Sequence, residues 1–520
     1  MKRCINSLLI VVATLLIAIS AQSAKAADFE IKGFHIDLRT EVMTMPALKA
    51  FATKLYGIGV NTILMEYEAS FPYEKHFTIS SKYAYTRDEI RDFVKHCTAL
   101  GIDVIPLQQT FGHTDYILRH ARYSSLAESK NDVTQVCPLK TEKCIELFDE
   151  LFADMISLHT SRYVHIGGDE TRLLGVCPKC DAKVAKQGKS KLFVDYMKEI
   201  CKLVISHGKI PIMWADIILE HPEYISELPK ETIFVDWNYG WSNRKFGDAE
   251  ALVKQGVKFW GAPSIRSHPD NMYITTWEKH FDNQKVFIPY CREQQYNGIV
   301  MTSWSTSGIF STIWELDYEV VDMIPLRYVY PMNGFNILIY MYGKALSQTE
   351  PIDPKEAVVE YACGELGLSA EEGQTLYEVL MIPQVRFPQA QPRPDHNGIK
   401  KSYDKLIEET DYYLAKLRAM KPSRNKVDLE HLILMFEIRS NYIRFKRLES
   451  EINSHEAEIG KTANYLARME KILKTEERLC KKFASLQRGF LDPREIREIN
   501  RARTHKMVDI YNRLTRVAER

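Results

Sequence analysis

The segment RYVHIGGDETRLLG runs from an apolar stretch through paired glycines into two consecutive acids, Asp169 and Glu170. Burying an unpaired carboxylate costs several kcal/mol, so two side by side imply a compensating partner or a use. In a regular strand the two would point to opposite sides. After Gly167-Gly168 the backbone is free to turn, and both could reach one place. A neighbouring anion and partial burial would raise the pKa of Glu170, which suits a proton donor near neutral pH. The alternative is a helix cap, with Asp169 or Thr171 at the N-cap. Trp214, Trp237 and Trp304 each end a β-rich run, and an indole offers a flat apolar face on which a sugar ring stacks.

Cysteines supply a second set of reactive groups. Cys177-Pro-Lys-Cys180 closely follows the acidic pair, and Cys137 and Cys144 lie upstream. Structural disulfides, free thiols and a zinc site all fit two such pairs. The wider spacing of the first pair is unlike a usual zinc knuckle, so no metal site is assigned.

These residues need a scaffold. From Gly33 to about Gly343, short runs dense in Val, Ile, Leu, Phe and Trp alternate with amphipathic stretches. GFHIDL, VNTILMEY, IDVIPLQ, RYVHIGG, IPIMWAD, TIFVDWNY, KFWGAPS and GIVMTSW show little alternation, as strands covered on both faces do. Helical candidates such as TRDEIRDFVKHCTALG end in Gly, the residue a left-handed C-cap favours. Eight such units predict an α/β fold, a (β/α)8 TIM barrel, whose working residues gather where strands end. Asp37, Arg39, Gln108, Gln109, His113, Asp169, Glu170, Trp214, Asp216, Trp237, Tyr239 and Trp304 all fall at predicted strand ends. No Gly-rich phosphate loop follows the first strand, which argues against a doubly wound sheet.

The chain has 520 residues, 45% of them hydrophobic and 26% charged, with a formal net charge of +1. The size implies more than one domain, and the charge balance argues against nucleic acid as a main partner, a local patch aside. Lys2 and Arg3, the apolar run Leu8–Ile19 and Ala24-Lys25-Ala26 read as an export leader, too short for a membrane span. The expected organisation is a signal peptide at 1–26, a catalytic barrel at 27–346 and an α-helical C-terminal domain at 347–520. The product would be exported, to the periplasm, the medium or the cell surface. From Lys400 onward the charged runs read as solvated faces of a helical bundle, and homodimerisation through it stays open.

HIGGDE resembles the His-x-Gly-Gly-Asp-Glu signature of glycoside hydrolase family 20, the β-N-acetylhexosaminidases. LMEYEASFPYE, VIPLQQTFGHTDYILRH and TSWSTSG resemble the hexosaminidase D branch. The resemblance covers roughly Gly33 to Leu326. It implies substrate-assisted retaining hydrolysis, an exception to the two-carboxylate scheme. In that scheme Glu170 is the general acid and base, and Asp169 orients the substrate's 2-acetamido group. Tyr239 hydrogen-bonds the acetamido carbonyl. Trp214, Trp237 and Trp304 wall the sugar, while Arg39, His113, His165 and Asp216 bind or orient it. No metal or organic cofactor is implied, and the substrate is a glycan or glycoconjugate with a terminal β-linked GalNAc or GlcNAc.

The chain departs from better-known members at the eighth run, where Trp304-Ser305-Thr306 replaces their Trp-x-Glu. Two alternatives stay open. One is a glycan-binding barrel without turnover. The other is a retaining glycosidase with a protein nucleophile such as Glu66 or Glu68.

Overall fold

A computed structural model describes residues 28–305, 328–387, 390–454 and 459–519. The expected leader and Thr306 lie outside the described residues. Strands β1 (Ile31–Asp37), β2 (Thr62–Glu66), β3 (Asp103–Leu107), β4 (Tyr163–His165), β5 (Ile210–Trp214), β6 (Ile233–Trp237), β7 (Lys258–Ala262), β8 (Ser264–Arg266) and β9 (Gly298–Ser303) all pair in parallel. β1 to β7 follow chain order, β9 joins β7, and β9 pairs back with β1, which closes an eight-strand barrel. The short β8 attaches to β9 at the rim.

The predicted runs are strands because both faces are covered. Leu64, Ile105, Ile212, Trp214, Val235 and Val300 fill the barrel. Their sequence neighbours Ile63, Met65, Val104 and Met213 face the outer helices. Alternate residues therefore enter two different apolar layers, and the sequence shows no polar side.

The surrounding helices carry strong end signals. Helix Arg87–Leu100 opens with a capping box between Thr86 and Glu89 and stops at Gly101, whose φ is +81°. Helix Pro178–Ser206 bends at Gly188, where φ is +83°. Helix Asn336–Ser347 packs on the outside of β1, and its Tyr342 hydroxyl donates to the Gly33 carbonyl at 2.7 Å.

Helices Tyr403–Ala419, Lys426–Ser454, Thr462–Leu486 and Pro493–Ala518 form the C-terminal bundle. It is tied to the segment after β1: Thr44 N–H donates to the Phe490 carbonyl at 2.8 Å, and Val42 N–H to Glu495 Oε1 at 2.9 Å. The reading of its charges as wholly solvated needs correction. Arg503 and Glu476 are buried together, Nε to Oε2 at 3.2 Å, and Asn441 donates to the other Glu476 oxygen at 2.8 Å. The pair is tolerated inside because its charges answer each other.

At Gly343, a Cβ would stand 2.8 Å from Ile58 Cβ, so this helix approaches its neighbour as closely as a glycine permits. Gly343→Leu should cost about 1–3 kcal/mol by overpacking. Urea unfolding would measure it, and wild-type stability would refute the close approach.

Candidate active site

The mouth is built where β1 to β6 and β9 end, and its loops carry unusual backbone. Three non-glycine residues have left-handed φ there: Glu68 at +45°, His113 at +53° and Glu170 at +45°. Such conformations cost free energy and persist only where surrounding contacts enforce them. Gly167 and Gly168 supply φ of +69° and +93°, the turn the sequence called for. No helix begins at the acidic pair, since the next one starts at Pro178 with Cys177 as its N-cap. The capping alternative for Asp169 and Thr171 therefore fails. Gly112 lets the β3 loop lie against the β4 loop: a Cβ there would sit 2.4 Å from the Asp169 carbonyl oxygen.

His113 Nε2 lies 3.2 Å from Asp169 Oδ2 and 3.4 Å from Glu170 Oε2. Both consecutive carboxylates thus meet one imidazole. Burial disfavours charge on His113, but Asp169 and Glu170 outweigh it and hold its pKa well above the usual histidine value. Burial likewise works to raise Glu170, yet His113 and Arg172 bring it down to about 2. This corrects the expectation of a raised Glu170. The Arg172 contact, 2.7 Å from a side chain 77% exposed, is screened by solvent. The raised carboxyl is Asp216 instead, pushed up to about 8 by burial and by Asp169 and Glu170. Its Oδ2 accepts the Glu170 N–H at 2.9 Å, which fixes the backbone of the acidic pair.

An aromatic wall stands beside these groups. Tyr239 Oη accepts a hydrogen bond from Trp304 Nε1 at 2.9 Å, and the Trp237 and Tyr239 rings lie 5.0 Å apart. Arg39 sits over Trp304, 5.0 Å from the ring centroid, and is clamped by both Asp37 oxygens at 2.8 and 2.9 Å. Trp241 and Phe246 extend the wall, their rings 5.3 and 4.6 Å from Trp237. The sequence reading missed both, although the WNYGW spacing carries the signal for Trp241.

Two expected ligand-binding residues are placed otherwise. His165 is 0% exposed at the end of β4, its ring 4.5 Å from that of Trp214, with Nδ1 accepting the Gly167 N–H at 3.1 Å. Burial keeps its pKa well below the usual value, so it is a neutral interior residue. Trp214, 1% exposed, belongs to the barrel filling and presents almost no surface. Strand pleating explains both, because the alternate residues of β4 and β5 that include them point inward. Gln108 is also buried and accepts from the Tyr73 hydroxyl at 2.8 Å. Among the alternative nucleophiles, Glu66 is fully buried, bonded to His35 Nε2 at 2.8 Å and Gln109 Nε2 at 3.1 Å. Glu68 lines a cavity with Arg39, Arg119 and Glu495, and burial first, against the pull of Arg39, raises its pKa well above the carboxylate range.

All nine described cysteines are thiols, so no disulfide forms among them. Cys144 is buried on helix Thr141–Ile156 and does not join Cys137.

Asp216 generates a stability test. Its folded pKa is raised, so its contribution is fully present below the ordinary carboxylate range and is lost as pH rises through about 8. Asp216→Asn keeps an acceptor for the Glu170 N–H and removes the proton. The variant should match wild type near pH 4 and exceed it by ~1 kcal/mol or more above pH 8. Chemical unfolding at both pH values would show a constant difference if Asp216 were ordinary.

The model for the glycosyl hydrolase family 20 catalytic domain matches residues 54–322, just over half of the chain. Bovine hexosaminidase D is 28% identical over 304 residues, covering 54% of this chain and 86% of that protein. Human hexosaminidase D is 25% identical over 308 residues, covering 56% of this chain and 63% of the human one. A solved β-N-acetylhexosaminidase from Bacteroides fragilis superposes with a TM-score of 0.47 at 14% identity, over 63% of this chain and 67% of that one. By its match to the catalytic domain, the chain belongs to glycoside hydrolase family 20.

Proposed function

We propose that this glycoside hydrolase is an exported exo-β-N-acetylhexosaminidase that releases terminal β-linked GalNAc or GlcNAc, with the substrate's own acetamide as nucleophile. The observation that carries the reading is the single imidazole shared by Asp169 and Glu170, which turns consecutive carboxylates toward the same side of the mouth. Asp169 Oδ1 is buried without a hydrogen-bond partner among the described residues, an acceptor suited to the acetamido N–H. Tyr239 accepts from Trp304 and also meets the Thr302 hydroxyl, and in this reading its proton turns to the acetamido carbonyl oxygen when substrate binds. That oxygen attacks the anomeric carbon as the glycosidic bond breaks, giving an oxazolinium ion. Glu170 protonates the leaving oxygen, then takes a proton from the water that opens the ring.

The free site holds its proton on His113 and keeps Glu170 ionised. In this reading a bound glycan expels water, displaces the exposed Arg172 and favours the neutral carboxyl, and His113 supplies the proton across the 3.4 Å contact. A protein nucleophile is disfavoured. Glu66 has both oxygens engaged by His35 and Gln109, and Glu68 is held neutral by burial. The hexosaminidase D likeness favours GalNAc over GlcNAc.

Nitrophenyl β-GalNAc and β-GlcNAc should be hydrolysed, while glycosides lacking the N-acetyl group should not. Turnover of the latter together with indifference to a thiazoline inhibitor would establish a protein nucleophile, and no turnover of any would leave a binding barrel. Glu170→Gln should lose about 10²–10⁴-fold in kcat on a poor leaving group and much less on nitrophenol. Equal losses would remove Glu170 as the acid. Asp169→Asn should lower kcat more than it changes KM, and an unchanged kcat would free Asp169 from the chemistry.

A further inference from the structure

A second cluster of reactive side chains lies behind the acidic pair and takes no part in the reaction above. Cys137 Sγ is 3.9 Å from Cys177 Sγ and 3.7 Å from Cys180 Sγ, and Cys180 Sγ is 3.4 Å from Glu128 Oε2. The four ligand atoms lie within 4.8 Å of one another. Glu128, Cys137 and Cys180 are buried and Cys177 is half-buried.

These distances have a specific meaning. A disulfide would need about 2.05 Å between sulfurs, and unrelated buried thiols have no reason to converge in threes on a carboxylate. Zinc bonded tetrahedrally, with Zn–S near ~2.3 Å and Zn–O near ~2.0 Å, sets sulfur atoms about 3.8 Å apart and sulfur about 3.5 Å from oxygen. We propose that Glu128, Cys137, Cys177 and Cys180 form a structural site for a divalent zinc-like cation. Binding deprotonates the three thiols and makes four bonds to the metal, with protons released to solvent.

The surroundings are those of a built site. Residues 126–128 and 135–137 run antiparallel: Glu128 N–H donates to Gln135 O at 2.9 Å, and Cys137 N–H to Leu126 O at 2.8 Å. The two strands of this hairpin hold Glu128 and Cys137 side by side. Cys177 and Cys180 occupy the first turn of helix Pro178–Ser206, whose positive end favours anionic ligands. Cys177 N–H donates to Glu128 Oε1 at 2.8 Å, so the oxygen not facing Cys180 is held from behind. The sequence pairing of Cys137 with Cys144 hid the site, because the fourth ligand is a glutamate with no spacing signature.

The consequence is mechanical. Glu128 and Cys137 belong to the loop that carries His113, while Cys177 and Cys180 end the loop that carries Asp169 and Glu170. The cation would staple these loops together and hold the imidazole against its two carboxylates.

The full chain, purified without chelator, should contain one equivalent of zinc by elemental analysis. Apoprotein reconstituted with Co2+ should show a thiolate-to-metal charge-transfer band and the strong visible bands of tetrahedral cobalt. Cys137→Ser and Cys180→Ser should lose both signals, and Glu128→Gln should keep the thiolate band at weaker affinity. Should the serine variants fail to fold, the cobalt titration of wild type decides alone. Cobalt without a thiolate band, or a disulfide among Cys137, Cys177 and Cys180 in unreduced peptides, would overturn the site. Glu170→Gln should bind metal as wild type does, so this test is independent of the proposed catalysis.

Discussion

The working end of the barrel depends on one imidazole between two neighbouring carboxylates. Consecutive residues do not share a partner in extended backbone, so the contact demands a bend immediately after β4. Gly167 and Gly168 make most of that bend, and Glu170 completes it in a left-handed conformation that few side chains adopt. His113 must also bend to reach them, and it too is left-handed. Each strained residue is held by something outside itself. Glu170 is held by Asp216 through its N–H, and the approach of the two loops depends on the missing side chain at Gly112. The strain is thus a cost of convergence, offset by charge pairing in a partly dry site.

That charge pairing continues downward into the barrel. The layer beneath the mouth is polar: His35 pairs with Glu66, Gln109 donates to Glu66, and Asp37 grips Arg39 while accepting the Ser305 N–H at 2.8 Å. Arg39 outweighs burial and brings Asp37 down to about 2, so this carboxylate stays ionised in the interior. Fixed dipoles and charges of this kind need no rearrangement when a ligand arrives. They also give the acids that end the first two strands, Asp37 and Glu66, partners inside the barrel. Their role is to hold Arg39 and Trp304 in place.

The barrel was legible in the sequence because every strand is covered twice, which leaves apolar runs without alternation, and because helix ends such as Thr86 and Gly101 carry local capping chemistry. The rim was legible because strand ends are where such barrels place polar groups. Facing was not legible. His165 and Trp214 sit at strand ends yet point inward, and one residue along a strand decides between filling and mouth. Protonation was not legible either. Adjacency to an acid suggested a raised Glu170, but the histidine that lowers it lies in another loop, and the raised group, Asp216, is brought near by β5. Buried ion pairs in the helical bundle escaped for the same reason, since Arg503 and Glu476 read as surface charges until their helices pack.

The C-terminal helices bear on the site through the segment after β1. Met43 forms a β-bridge with Leu491, and Glu495 accepts the Val42 N–H from beside the cavity that Arg39 and Glu68 line. Arg39 stands only a few residues from these contacts, so the position of its guanidinium over Trp304 is tied to helix Pro493–Ala518 as well as to Asp37. The carboxyl of Glu495 is fully buried and pushed well above the usual range, chiefly by desolvation, so it is a neutral hydrogen-bonding group at this junction. Glu495 and Glu68, both kept neutral by burial, put no negative charge into this cavity, which leaves Arg39 to its Asp37 partner. The bundle therefore does more than cover the barrel: its last helix holds the segment after β1, and through it the stretch that carries Arg39.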